Sequence, residues 1–331
     1  MSPGAMTPSV NAPVLGMSGV NMDFPIGGSF LNRTLLRAVS DVSLSTHARK
    51  ALALVGESGS GKSTIARILA RLYKQTGGTV TRGGQDVVAL NAADIAAYRR
   101  DVQMIFQDPF ASLNPTRTIG DHLERAIRLH HPDLGKGEVR DHIDALLTQV
   151  GLLPARSFAE RRPHEISGGQ RQRVSIARAL SVEPKVILAD ESTSMLDVSV
   201  RLGILNLLAD EKEQRNLAAL YITHDIAIAR YFAEETAVLC AGCLVEQGPS
   251  QSITETPRHP YTRLLIDSVP NPAHKITGTA QRRSGDVPLR GPASRGCPFT
   301  SRCPRATAIC SDQMPGQTRL GPGHFVRCNN L

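Results

Sequence analysis

Gly56-Glu57-Ser58-Gly59-Ser60-Gly61-Lys62-Ser63-Thr64 fits the phosphate-binding pattern of a glycine, four residues, then Gly-Lys-Ser/Thr. The apolar run Ala51-Leu52-Ala53-Leu54-Val55 precedes it and predicts a short buried strand. Helix-favouring residues from Ile65 to Arg71 follow. Strand, glycine-rich loop and helix are the context this motif requires. Glycines let backbone N–H groups converge on phosphate oxygens, and the helix start adds the positive end of its dipole. All nine residues from Gly56 to Thr64 are candidates for holding a nucleotide. Lys62 is expected to reach the β- and γ-phosphates and the Ser63 hydroxyl to ligate Mg²⁺.

The chain has 331 residues and 41 % hydrophobic content, enough for a real core and more than one domain. No apolar run approaches the ~18 residues needed to span a bilayer, so a membrane role must come through a partner. The segment Met1 to Val14 is small and Pro-rich, without a basic start or an apolar centre. It reads as the disordered tail of a cytoplasmic protein, not as a signal peptide.

The net charge of +8 is uneven: from Asn271 onward nine Lys/Arg face two Asp, leaving about +1 for the first 270 residues. The body is therefore nearly neutral, which argues against nucleic acid as its partner. The basic tail is either a solvated linker or a surface for a nearby anionic group.

Further along, an Arg-bearing helix from Asp94 to Asp101 precedes an apolar strand, Val102 to Phe106. A mostly helical stretch runs from about Ile119 to Leu180, broken at His131-Pro132 and Leu153-Pro154. Two more buried strands follow: Val186-Ile187-Leu188-Ala189 ends on Asp190-Glu191, and Ala218 to Thr223 ends on His224-Asp225. Strands alternating with helices, with polar residues at strand C-terminal ends, predict an open α/β sheet with its site at those ends. No repeat is visible and there is one phosphate loop, which excludes a tandem arrangement of two such units. Beyond about Thr256 the chain turns rich in Pro, Gly and Arg and reads as a loop-rich appendage.

Asp190, at the end of an apolar strand, suits Mg²⁺ held beside a nucleotide, and Glu191 can polarise an attacking water. Ser167-Gly168-Gly169-Gln170 stands immediately before a helix expected from Arg173 to Leu180, where Ser167 and the glycine backbone form a second anion site. This site lies roughly 105 residues from the first. It makes sense if two subunits pack head-to-tail, each supplying contacts to the other's γ-phosphate.

The phosphate loop, Ser-Gly-Gly-Gln, Asp190-Glu191 and His224, in this order, resemble the ATP-binding subunits of ABC transporters over roughly residues 15–255. The resemblance implies an α/β P-loop ATPase with a RecA-like core sheet, an antiparallel β subdomain and a helical subdomain. By the same resemblance Gln107 links Mg²⁺ and water to membrane subunits, and Ser194-Met195-Leu196-Asp197 communicates across a dimer. His224 then contacts the γ-phosphate, and Phe24, with Phe30 behind it, is the candidate to stack on adenine. Ser192 stands where these ATPases usually have Pro, and Met195 where Ala is usual. Both flank the reacting groups and bear on rate.

Phe110-Ala111-Ser112-Leu113-Asn114-Pro115 and Arg258-His259-Pro260-Tyr261-Thr262 look like the ATPases of oligopeptide, dipeptide and nickel importers. That resemblance implies a second ATPase subunit, two membrane permeases and an extracytoplasmic substrate-binding protein, with this chain on the cytoplasmic face of the membrane. It divides the chain into a tail (1–14), an ATPase domain (15–255) and an importer-type extension (256–331).

Cys297, Cys303, Cys310 and Cys328 have the spacing C-x5-C-x6-C-x17-C. A cytoplasmic location disfavours disulfides, and a polar segment with four thiols suggests a metal-stapled module. Iron–sulfur, zinc and free thiols remain open by chemistry. The absence of paired C-x2-C spacing, and the similar tail of the importer ATPases, favour a 4Fe–4S cluster. Cys240 and Cys243 flank Ala241-Gly242 in an expected hairpin, Ala237 to Glu246, and read as small packing residues. The rival to an importer ATPase is a soluble ABC-type ATPase acting on DNA or ribosomes, with the cysteines as a nucleic-acid finger. A regulatory subunit with little hydrolysis is a third reading, opposed by Glu191.

Overall fold

The computed structural model describes residues 12–27, 34–108, 112–193, 196–268 and 288–331. Residues 1–11 of the expected tail, Phe30, Pro109 to Ala111, Ser194, Met195 and the basic stretch 269–287 lie outside the described residues.

The chain divides into two compact units that interleave along the sequence. One is built from Leu15–Thr46, Ala51–Val88 and Tyr221–Leu331. It contains a four-stranded antiparallel sheet in the order Leu35–Thr46, Leu15–Pro25, Gly77–Arg82, Gln85–Asp86. Its other strands run in the order Thr318–Gly321, His324–Val326, Cys243–Pro249, Glu235–Cys240, Ala51–Val55. Ala51–Val55 pairs in parallel with Glu235–Cys240 and is buried along its whole length, as its unbroken apolar run requires. Glu235–Cys240 and Cys243–Pro249 form the expected hairpin. Cys240 and Cys243 face each other across it, and burial pushes both thiols up, in keeping with packing residues.

The loop-rich end of the chain is part of this unit. His324–Val326 pairs antiparallel to Cys243–Pro249 with Val326 opposite Glu246. Buried Phe299, Cys310 and Val326 supply its apolar contacts.

The second unit contains His47–Lys50 and Ala89–Leu220. Here Val102–Ile105 and Val186–Asp190 pair in parallel, residue for residue from Val102↔Val186 to Ile105↔Ala189. Its helices begin where the side chains say they should. Asn91 caps Ala92–Asp101 by accepting from Asp94 N–H at 3.0 Å, and Thr118 with Asp121 forms a capping box on Ile119–His130. The four-residue rhythm Ile119, Leu123, Ile127 is completely buried. Helices follow at Lys136–Gln149, Ala155–Glu160 and Gly168–Leu180, broken at the two Pro sites. Among the described residues no helix is long and apolar enough to cross a membrane.

Candidate nucleotide site

In the first unit the phosphate loop leaves the Ala51–Val55 strand and enters the helix Lys62–Leu69. Gly61 has φ +104°, and a Cβ there would run into the Ala38 carbonyl oxygen, so no other residue fits the turn. Gly56 is held equally close by the Leu239 carbonyl. Lys62 is buried at 4 % exposure. Its ammonium donates to the carbonyls of Gly56 at 2.7 Å and Glu57 at 2.8 Å, which closes the loop around the ammonium. Phe24 is half-buried on the strand Leu15–Pro25, its ring edge-on to Tyr73 at 5.5 Å. His224 is exposed just beyond the end of Ala218–Thr223. The next residue, Asp225, fixes the turn: its carboxylate accepts from Ala227 N–H at 2.9 Å and its own N–H donates to Thr223 Oγ1 at 3.0 Å.

Glu57 has partners that sequence reasoning missed. Arg302 Nη1 donates to Oε1 at 2.8 Å and Nη2 to Oε2 at 2.6 Å, while Glu57 N–H donates to the Tyr261 hydroxyl at 2.9 Å. Tyr261 lies in the quoted run Arg258 to Thr262. The signal available was local: His259 caps the helix Pro260–Asp267 by accepting at Nδ1 from Tyr261 N–H at 3.0 Å. The direction of the Tyr261 ring was not legible from it.

In the second unit Asp190 is buried at 3 % exposure at the end of its strand. Glu191 follows with φ +42°, an uncommon conformation for a non-glycine residue. The Gln107 amide donates to Glu191 Oε2 at 2.9 Å, so the structure brings together two residues nominated separately. Ser167 N-caps Gly168–Leu180 in a capping box with Gln170: Ser167 Oγ accepts from Gln170 N–H at 3.3 Å and Gln170 Oε1 from Ser167 N–H at 2.9 Å. A Cβ on Gly169 would stand 2.7 Å from Val200 Cγ1, so this helix start needs glycine for space. Ser167 to Gln170 line an open pocket with Leu196 and Asp197.

The four-cysteine expectation finds support only in part. Cys297, Cys303, Cys310 and Cys328 line one small pocket beside His259. Yet among the described residues no three Cys, His, Asp or Glu side chains form a metal-holding group. Three of the four sulfurs have polar neighbours. Cys297 Sγ lies 3.8 Å from His259 Nε2, Cys310 Sγ is 3.3 Å from Thr307 Oγ1, and Cys328 Sγ accepts from Asn330 N–H at 3.4 Å. Burial raises the Cys297 thiol to about 11, whereas the Thr307 hydroxyl helps lower Cys310. The donor chemistry suits a soft metal group, but the ligand set is not preassembled.

A glycine-rich phosphate loop, an acid pair at a parallel strand end and a Ser-Gly-Gly-Gln helix cap together define an ATP-binding cassette of the ABC class. The comparisons agree. The ABC transporter family matches residues 39–194, and the family described as oligopeptide/dipeptide transporter, C-terminal region, matches 245–310. The chain belongs to the ATP-binding proteins of ABC-type oligopeptide and dipeptide transporters. It is 38 % identical to the oligopeptide transport ATP-binding protein AppF of Bacillus subtilis, covering 98 % of this chain and 99 % of that one. It is 40 % identical to the di/tripeptide transport ATP-binding protein DppF of Pseudomonas aeruginosa, covering 92 % and 93 %. Among solved structures, the dimeric ATP-binding cassette MJ0796 in a post-hydrolysis state with ADP and Pi aligns with TM-score 0.63 at 30 % identity, covering 71 % of this chain and 98 % of that one.

Proposed function

We propose that this chain is the ATP-hydrolysing subunit of a peptide importer, peripheral on the cytoplasmic face of the membrane. The observation that carries it is the Glu191 carboxylate, held by Gln107 at the mouth of a buried strand in a chain that also has the complete phosphate loop. Gly56 to Thr64 hold the triphosphate, with Lys62 as its cation. Ser63, Asp190 and Gln107 would be the oxygen donors for Mg²⁺, which would supply charge neutralisation for the phosphates. Glu191 orients and polarises the attacking water, and His224 contacts the γ-phosphate. Phe24 is the adenine-stacking candidate. Ser167 to Gln170 act on the nucleotide of a second ATPase subunit, a reading supported by the similarity to a cassette solved as a dimer.

Two permeases and an extracytoplasmic binding protein complete the assembly. Peptide as cargo is supported by the relatives' names and by the C-terminal match. For the tail we keep the 4Fe–4S cluster as a proposal, supported by four thiols sharing one pocket. Nucleic acid is not favoured, because the body is nearly neutral. Co-expression with candidate permeases tests the reading. Membrane association that depends on them, with ATP turnover raised by peptide-loaded binding protein, is expected. Salt-sensitive retention on nucleic acid without permeases would favour the rival.

A further inference from the structure

We infer that Arg302 is a positioning residue of the nucleotide site, so that the C-terminal segment works as a support of the phosphate loop. The inference rests on the loop binding ATP. Glu57 lies inside the loop, and its carboxylate would raise negative charge where a triphosphate must enter. Arg302 neutralises it with two parallel bonds of 2.8 and 2.6 Å, the fork-to-carboxylate geometry that fixes direction as well as charge. The pair is shielded: the Arg302 side chain is 9 % exposed and that of Glu57 30 %.

The guanidinium is itself held in place, 5.2 Å from the Phe299 ring centroid and 5.9 Å from that of Tyr261. Both rings are buried. The Tyr261 hydroxyl takes the Glu57 N–H, and Lys62 takes the Glu57 carbonyl at 2.8 Å. Glu57 is thus fixed at its N–H, its carbonyl and its carboxylate, and two of those three contacts come from beyond residue 260. Without Arg302 the carboxylate is uncompensated and free to turn toward the phosphates.

The test is calorimetric binding of a non-hydrolysable ATP analogue to the full chain. Arg302→Gln is expected to weaken binding about tenfold, Arg302→Lys to retain most of it, and the deficit of Arg302→Gln to shrink at high salt, which screens the partly exposed Glu57 carboxylate from the phosphates. Adding Glu57→Gln to Arg302→Gln should restore most of the affinity, because the repelling charge is gone. Unchanged affinity in Arg302→Gln overturns the inference. So does a loss that neither Glu57→Gln nor salt relieves, since that loss belongs to the folding of the C-terminal segment. Failure of the unaltered chain to bind the analogue overturns the ATP reading itself, and this inference with it.

Discussion

The Gln107 amide donates to Glu191 Oε2 at 2.9 Å across 84 residues of sequence. The bond fixes the direction of the carboxylate that is proposed to polarise the attacking water. Glu191→Gln is expected to keep ATP binding and to lower hydrolysis by ~10² or more. Near-normal turnover in the purified complex would remove Glu191 from its assigned role.

Lys62→Ala is expected to act on binding instead. The ammonium supplies the loop's cation and also ties the carbonyls of Gly56 and Glu57 together, so both charge and loop geometry are lost. A weakening of ATP affinity by about tenfold or more is expected by calorimetry. Equal affinities for variant and parent would refute the assignment.

Ser167 is expected to serve the other subunit's nucleotide. When Ser167→Arg and Lys62→Ala chains are mixed, one composite site carries both lesions and one carries neither. ATPase activity should then exceed that of either variant alone. No recovery in a complex shown to contain two copies of this chain would exclude the role in trans.

Acid should loosen the antiparallel sheet through Asp23. On the paired strands Arg37 donates to both carboxylate oxygens at 2.8 and 2.9 Å, and these hydrogen bonds hold the Asp23 carboxyl below the usual carboxylate range. The folded pKa is depressed, so the stabilisation is fully present above the unfolded value near 3.8 and is lost as pH falls through the folded one. Asp23→Asn is expected to cost about 1 kcal/mol at pH 7. Urea titrations should show parent and variant converging toward pH 2, and a gap that stays constant with pH would contradict the ion-pair account.

The tail has its own measurement. If the four thiols hold an iron–sulfur cluster, anaerobically purified protein should be brown with about four irons per chain, and Cys303→Ser should bleach it while Cys240→Ser should not. Stoichiometric zinc, or four freely titrating thiols, rejects the cluster. Distance in sequence from Lys62 suggests that ATP binding survives loss of the module. The Arg302–Glu57 pair, 245 residues apart in the chain, leads to the opposite expectation: disordering the tail should weaken nucleotide binding.

What the sequence determined alone was local. The strands Ala51–Val55 and Ala218–Thr223 appear at their expected bounds, because an unbroken apolar run between polar ends has few other ways to be buried. The breaks at the two Pro sites were legible for the same kind of reason, a missing N–H acting within one turn, whereas the helix expected from Arg173 begins at Gly168, because Ser167 and Gln170 cap it five residues earlier. Gln107, Glu191, Lys62 and Asp190 were nominated by type and position, without their partners.

Tertiary structure decided those partners. Gln107 reaches Glu191 because Val102–Ile105 lies beside Val186–Asp190 in parallel register, a pairing that neither strand's pattern specifies. Arg302 reaches Glu57 only after the chain end returns to its unit, with His324–Val326 added beside Cys243–Pro249. The four cysteines suggested a ligand set by count and spacing; the fold gathers them on one small pocket, without a metal-holding group among the described residues. Spacing reports what a short segment can reach, whereas a bond between distant residues exists only once the fold has brought them together and excluded their alternatives.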